Sequence, residues 1–249
     1  QIVPITVTEN HTDSYFYFKI SNFNKNTASS FKKKLTAAMQ SSPQDKAGII
    51  IDLRGNMGGL LQQAIKVADM FIDNGKILST IGKHPKSSRQ FIANPQDLSL
   101  GLPLVILING VSASAAEIVA VALQDHNRAI VIGTSSYGKG TIQTIVPLPN
   151  GGELILTWSR FIAPSGYSLD GLGVHPVICT SSDNQDYLNY ITQTILHGKK
   201  LKLLFKSWRT KSQKNRVGLK LLRQSCPARK TFPDNDIKIA KYLFLQLKQ

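Results

Sequence analysis

Two serines in the segment INGVSASAAEIVA (108–120) have the surroundings of a reactive group. The apolar run before them predicts a buried strand and the run after them a helix, so Ser112 or Ser114 would lie on the turn between the two. The first amides of that helix, those of Ala115 and Ala116, have no partner within a helix and can stabilise negative charge. The serine is therefore either a nucleophile beside an anion site or an N-cap whose hydroxyl accepts a helix amide.

A serine nucleophile needs a base, and Lys139 in GTSSYGKGTIQT (133–144) is the candidate. Histidine is the usual base, but no histidine before residue 182 is marked for the role (His11, His84, His126 and His175, of which His126 is expected to end a helix). A lysine can serve where burial lowers its pKa, because desolvation disfavours the charged amine. Lys139 lies between glycines in a loop that leaves the apolar strand AIVIG, so we expect a poorly solvated amine, which the neutral amide of Gln143 could orient. The alternative is an ordinary solvated lysine.

The same loop approaches the pattern of a phosphate-binding P-loop. That pattern requires Ser or Thr directly after the lysine and a helix after the loop. Gly140 stands at the hydroxyl position, and TIQTIVPLP is β-branched, alternating and ended by prolines, which predicts a strand. Nucleotide binding is therefore disfavoured.

A third candidate element is DLRGNMGG (52–59), which follows the apolar run AGIII. Two glycines in a turn from strand to helix let the backbone approach another group closely and direct its amides outward. They could form half of an oxyanion hole, with the amide of Ala115 as the other half, or they could only allow the next helix to pack tightly.

Apolar periodicity along the chain predicts an α/β fold. Helices are expected over 26–42, opened by Asn26 or Thr27, over 58–75, ended by Gly75, and over 112–129. Strands are expected over 14–23, 47–55, 76–83, 89–93, 103–110, 129–133, 141–148 and 153–164. The chain becomes polar and then basic near residues 180–185, which sets the expected end of the main body.

The net charge of +15 is concentrated after that boundary. Residues 1–195 contain 15 Lys and Arg against 13 Asp and Glu, whereas residues 196–249 contain 15 against 2. The basic stretch 199–224 also carries Leu, Phe and Trp at partly helical spacing, so it is either a solvated helix packed on the body or an interfacial helix on anionic lipid. Nucleic-acid binding is disfavoured, because no recognisable module accompanies the charge. No apolar run approaches the roughly 18 residues that would span a bilayer.

The two cysteines, Cys179 and Cys226, lie on either side of the composition change and lack metal-ligand spacing. We expect two free thiols here. The sequence implies no metal and no cofactor.

Three stretches, 48–77, 103–133 and 135–176, closely resemble the catalytic domain of the C-terminal processing proteases, also called tail-specific proteases. The resemblance implies a nucleophile at Ser114, a general base at Lys139 and an orienting amide at Gln143. It also implies an oxyanion hole formed by the amides of Gly58, in preference to Gly59, and Ala115. Four departures from the family pattern remove no reacting group (Gly55, Met57, Val111 and Ala116). Of these, Met57 and Val111 could alter the substrate groove or the direction of the oxyanion donors.

The resemblance further implies a ClpP/crotonase-like mixed ββα core with additional strands and a basic, helical C-terminal extension. Residues 1–182 would form the catalytic core, without the PDZ domain that usually precedes it, and residues 183–249 the extension. The expected function is a serine endopeptidase that cleaves proteins near apolar C-terminal tails through an acyl-enzyme. The expected setting is extracytoplasmic, in the periplasm or at the inner membrane of a bacterium, and a homo-oligomer is left open. The alternative is an inactive scaffold of the same fold, docked to a membrane or partner through the basic stretch.

Overall fold

The structure, a computed structural model, describes residues 7–12, 14–41, 43–181, 216–229 and 235–247. The helices are α1 Thr27–Gln40, α2 Leu61–Asp69, α3 Ala115–Asp125, α4 Arg216–Ser225 and α5 Asn235–Leu247. The strands are β1 Val7–Glu9, β2 Phe16–Ile20, β3 Ile49–Asp52, β4 Lys76–Ile81, β5 Arg89–Ile92, β6 Leu104–Ile108, β7 Ala129–Gly133, β8 Thr141–Pro147, β9 Glu153–Ile162 and β10 Ile178–Cys179.

Six strands form the main sheet in the order β1-β2-β3-β6-β7-β10. All neighbouring pairs from β2 to β10 are parallel, and only β1 is antiparallel. Both faces of β3 and β6 are buried, which is why these strands are continuous apolar runs instead of alternating ones. Ile49 and Ile51 pack with α1, α2 and α3 on one face, while Ile50 packs with Leu243 and Phe244 of α5 on the other.

A second, antiparallel sheet has the order β5-β4-β9-β8. Its hairpin of β8 and β9 contains a register shift between Ile142 and Gln143. Apolar side chains are exposed along the hairpin, among them Ile145, Leu154 and Ile155. This sheet carries the segment that follows Lys139.

The mixed α/β fold predicted from the sequence is confirmed, and α1 begins where its capping residues predicted. The second helix, however, ends at Asp69 and not at Gly75. Phe71 and Ile72 leave the helix to fill the core, and Gly75 adopts a φ of +91° at the next turn, where a side chain would meet the ring of His126.

The expectation of two free thiols is wrong. Cys179 and Cys226 form a disulfide that joins the end of β10 to the residue after α4. The two cysteines meet because the fold brings α4 back to the main sheet. Their separation of 47 residues along the chain does not indicate this pairing. Of the basic stretch 199–224, residues 199–215 lie outside the described residues, so its membrane docking stays a prediction.

The last two helices pack on the main body. Leu222 of α4 is buried, and α5 buries Ile239, Leu243 and Phe244 against the sheet. The domain boundary between residues 182 and 183 stays a prediction. Within the described residues, no helix is both long and apolar enough to cross a membrane.

Candidate active site

Ser114 is the accessible one of the two candidate serines. It lies in the serine turn (residues 109–114), directly before α3, and is half-buried. Ser112 is fully buried, where its hydroxyl donates to the Leu53 carbonyl oxygen at 2.8 Å and accepts the Asn109 amide at 3.0 Å. Ser112 therefore holds the turn together, and Ser114 is the serine that a substrate can reach.

The backbone of Ser114 is strained. Its φ of 54° and ψ of −112° lie in a region that residues with a side chain rarely adopt. Such a conformation costs on the order of 1–3 kcal/mol and is found preferentially at functional sites. A sharp turn from a buried strand into a helix, with a serine at its apex, is how α/β-hydrolases expose a nucleophile.

Glu117 connects Ser114 to the lysine loop (residues 134–140). Its carboxylate accepts the Ser114 amide at 2.7 Å and the Lys139 amide at 2.9 Å on one oxygen. The other oxygen accepts the Gly138 amide at 2.6 Å and the Ser136 hydroxyl at 2.5 Å. One buried side chain therefore fixes the backbone of both the candidate nucleophile and the candidate base.

The Glu117 carboxyl is fully buried among these four neutral donors. Burial raises its pKa above the usual range, although the hydrogen bonds act in the opposite direction by favouring the charged form. Sequence analysis did not assign Glu117 a role. The sequence does contain a signal for Glu117, since Ser114-Ala-Ala-Glu117 has the spacing of a capping box. The contacts of Glu117 with residues 136–139, however, form only in the folded chain.

The backbone of the lysine loop is tightly held. The Gly140 carbonyl oxygen accepts the Phe161 amide of β9 at 2.8 Å, and the Tyr137 amide donates to the Ser112 carbonyl oxygen at 2.9 Å. A Cβ atom at Gly140 would come within 2.1 Å of the Asp170 backbone nitrogen, so only glycine fits. β8 follows the loop directly, which confirms the predicted strand and removes the helix that a P-loop needs.

The side chain of Lys139 is exposed, so the poorly solvated position expected for its amine is not found. The flanking glycines bring the backbone close to its neighbours, but the side chain itself extends away from the buried contacts. Gln143 is also exposed, at the start of β8 beside the register shift.

The glycine turn (residues 55–59) packs directly against the serine turn. The Ala113 amide donates to the Asn56 carbonyl oxygen at 2.9 Å, and the Gly55 amide donates to Asn109 Oδ1 at 3.0 Å. Gly58 has a φ of +102°, and a Cβ atom there would come within 2.8 Å of Ser114 Cβ and 3.0 Å of the Ala115 amide nitrogen.

The amide of Gly58 donates to Asn56 Oδ1 at 2.8 Å, so it is engaged within its own turn. Gly59 has the packing role that sequence analysis kept as the alternative, because a Cβ atom there would come within 2.2 Å of the Phe23 carbonyl oxygen. Ala115 is the first residue of α3. Its amide is therefore one of the first amides of the helix, for which no carbonyl within the helix is available.

A buried ion network lies behind the glycine turn. Arg54 donates to both oxygens of Asp52, at 3.0 and 2.7 Å, and to Asp236 of α5 at 3.0 Å. Burial alone would lower the pKa of the Arg54 guanidinium, but its bonds to Asp52 and its attraction to both carboxylates outweigh burial and raise it. Burial raises the pKa of the Asp236 carboxyl. This network ties the turn to α5, a role that sequence analysis missed.

The segment after α4 contacts both the serine turn and the lysine loop. The Arg229 carbonyl oxygen accepts the Gly110 amide at 2.7 Å, and the Arg229 amide donates to Thr134 Oγ1 at 3.1 Å. Arg223 donates to the carbonyl oxygens of Tyr137 and Leu172 at 3.2 and 2.7 Å. The disulfide at Cys226 lies between these two anchors.

The four histidines considered above have other partners. His126 bonds the Lys76 carbonyl oxygen at the end of α3, His175 bonds Ser225, His84 stacks on Trp158, and His11 packs on two phenylalanines. Each of these contacts lies away from the serine turn.

Comparison with known proteins identifies the family. Residues 14–179 match the model of peptidase family S41, and the chain belongs to that family. It is 46% identical to a carboxy-terminal-processing protease of Bartonella bacilliformis over 163 residues, which are 65% of this chain and 38% of that protein. It is 33% identical to the carboxy-terminal processing protease CtpA of Bacillus subtilis over 174 residues, 70% of this chain and 36% of that protein.

Solved structures agree with the fold. A photosystem II D1 C-terminal processing protease superimposes with a TM-score of 0.63 at 29% identity, covering 71% of this chain and 48% of that one. The chain therefore spans less than half the length of these relatives.

Proposed function

We propose that this chain is the catalytic part of a serine endopeptidase that cleaves polypeptides near their C-termini. The family match and the names of the relatives support this class of activity. The observation that carries the proposal at the level of residues is the shared contact of Glu117 with the amides of Ser114 and Lys139.

In the proposed reaction, the neutral amine of Lys139 removes the proton from Ser114 as the serine oxygen attacks the scissile carbonyl carbon. The carbon–nitrogen bond then breaks, Lys139 returns the proton to the leaving amine, and the acyl group stays on Ser114. A water molecule, deprotonated by the same amine, then attacks the acyl carbon, the ester bond breaks, and the serine oxygen takes the proton back from Lys139. The side-chain amide of Gln143 would orient the amine.

The amides of Ala115 and Gly58 are the proposed oxyanion donors. The Ala115 amide suits the role without rearrangement, since it lies at the positive end of α3 and next to Ser114. The Gly58 amide would share its donation between Asn56 Oδ1 and the oxyanion or exchange one for the other.

Substrate binding would supply the desolvation that Lys139 lacks. A peptide lying over the exposed amine removes water from it, which disfavours its charged form. The exposure of Lys139 is also the observation that favours the second candidate function, an inactive scaffold of the same fold.

The direct test is hydrolysis of a fluorogenic peptide with an apolar C-terminal tail by the purified chain. Ser114→Ala and Lys139→Ala should each lower kcat by at least about 100-fold, whereas Lys32→Ala, on the exposed side of α1, should leave it unchanged. Unchanged cleavage in either active-site variant, with folding verified by circular dichroism, refutes the proposal.

We also propose that the protein works in an oxidising, extracytoplasmic compartment. The disulfide supports this, because structural disulfides are rare where thiols are kept reduced. Thiol titration of the protein purified from its native host should find no free thiol, and two free thiols would contradict the proposed compartment.

A further inference from the structure

A groove of about 690 Å³ crosses the outer face of the second sheet. Its apolar lining includes Ile81, Trp158 and Ile162, and its charged or ionisable lining consists of Lys83, His84 and Arg160. The volume lies within the range of natural ligand sites, roughly 300–1,000 Å³.

β9 supplies most of the large side chains of the groove from its more exposed face, and Thr157 and Ser159 of the other face also line it. Trp158, Arg160 and Ile162 alternate with the buried residues Ser159 and Phe161. Ile81 of β4 is the direct partner of Arg160 and is 57% exposed. Large apolar side chains gathered on an exposed face indicate a binding surface more often than a folding requirement.

The groove is connected to the lysine loop through β9, which supplies half of its lining residues. Arg160 pairs with Thr141, two residues after Lys139, and the next residue, Phe161, donates its amide to the Gly140 carbonyl oxygen at 2.8 Å. A peptide that occupies the groove therefore contacts the strand that is hydrogen-bonded to the lysine loop.

The charges of the groove select an anion. Lys83 and Arg160 line it, and no Asp or Glu is among the lining residues within the part of the chain that the structure describes. Arg160 has an ion pair with Asp170 at 3.3 Å, but the two side chains are 64% and 41% exposed, so this pair is weak and leaves Arg160 available to a second carboxylate.

Trp158 and His84 form an aromatic pair within the groove. Their rings stack with centroids 5.1 Å apart, and His84 Nδ1 accepts the Lys86 amide at 3.2 Å.

We propose that this groove binds the C-terminal end of the polypeptide substrate. The last apolar side chains would pack on Ile81, Trp158 and Ile162, and the terminal carboxylate would pair with Lys83 and Arg160. This inference rests on the proposed function, which it extends by giving the catalytic part its own means of recognising a chain terminus.

Peptide binding to the Ser114→Ala protein tests the groove without requiring catalysis. The probe is a fluorescein-labelled ten-residue peptide, polar except for a final Leu-Val-Ala, prepared as the free acid and as the C-terminal amide. By fluorescence anisotropy, the acid should bind at least about tenfold tighter than the amide, the range expected of one charge-assisted contact. Lys83→Ala combined with Arg160→Ala should abolish that difference, whereas Lys32→Ala should preserve it.

Equal affinity for acid and amide, or a preference for the acid that survives in the Lys83 and Arg160 double variant, overturns the groove assignment. The assignment is also overturned if the groove binds a second copy of the chain. That outcome would be observed as a dimer that Trp158→Ala dissociates, with no binding of the peptide. If the peptide binds as expected but the wild-type protein cleaves nothing, the proposed function fails and the groove assignment stands. If the wild type cleaves the acid and the amide equally well, the groove assignment fails and the proposed function stands.

Discussion

Glu117 is the residue on which the candidate site depends, although it contributes no reacting atom. Its carboxylate is the shared acceptor for the serine turn and the lysine loop, which are more than 20 residues apart in the chain. Sequence reasoning found the two reacting groups from their local surroundings, but it could not find the group between them, because that role exists only when the two segments meet.

Burial of Glu117 predicts a pH-dependent contribution to stability. Its pKa is raised above the ordinary 4.5, so the folded protein binds the proton more tightly than the unfolded chain does. The free energy of unfolding should therefore fall as pH rises from about 4.5 through the raised value, by at most about 1.4 kcal/mol per pH unit. Glu117→Gln does not titrate and should lack this slope, which urea unfolding at several pH values would measure.

The matched control is Glu153→Gln, an exposed glutamate at the start of β9, which should keep the wild-type slope. A Glu117→Gln protein whose unfolding free energy follows the wild-type pH dependence in parallel would contradict the assignment of this carboxyl.

At the scale of elements, the sequence predicted β2 to β9 and the first and third helices, because their apolar periods reflect burial on one or two faces. It did not predict β10, which has only two residues. The prediction failed where tertiary packing determines the structure. The second helix ends early because Phe71 and Ile72 are needed in the core. The exposure of Lys139 could not be seen either, since glycines restrain a backbone without saying where the side chain points.

The disulfide is predicted to support catalysis through the segment from α4 to Arg229. Replacing Cys179 and Cys226 together by serine should lower the free energy of unfolding by about 2–4 kcal/mol. It should also lower kcat more than it changes KM, because Arg223 and Arg229 would hold the lysine loop and serine turn less firmly. Urea unfolding and peptide hydrolysis measure the two effects.

Reduction of the wild-type protein with dithiothreitol should reproduce both effects, and the double serine variant should not respond to the reductant. If stability falls but kcat and KM are unchanged, the segment has a structural role only.

At the scale of the whole molecule, the parallel sheet is covered on one face by α1, α2 and α3 and on the other by α5. The basic composition after residue 195 suggested an appendage, whereas α5 completes the core. Its Asp236 bonds Arg54, the residue directly before the glycine turn, so α5 is coupled to the candidate oxyanion site. A net charge cannot reveal such packing, because only two acidic residues lie in that region and one of them is buried.

The buried ion pair should matter far more than an exposed one. Asp236→Asn removes one partner of Arg54 and should cost about 3–5 kcal/mol of unfolding free energy. Glu9→Gln makes the same chemical change in the exposed pair with Lys34, at 2.9 Å, and should cost less than about 1 kcal/mol. Chemical denaturation of both variants provides the comparison, and equal costs would rule out a structural role for the network.

The central claim is that Lys139 activates Ser114, and the rate of covalent labelling by a fluorophosphonate probe tests it most directly. Mass spectrometry of the wild-type protein should find the label on Ser114 alone. Lys139→Ala should slow the labelling by at least about 100-fold without changing the melting temperature. Labelling of Lys139→Ala at the wild-type rate, or a label on another residue, would contradict the account.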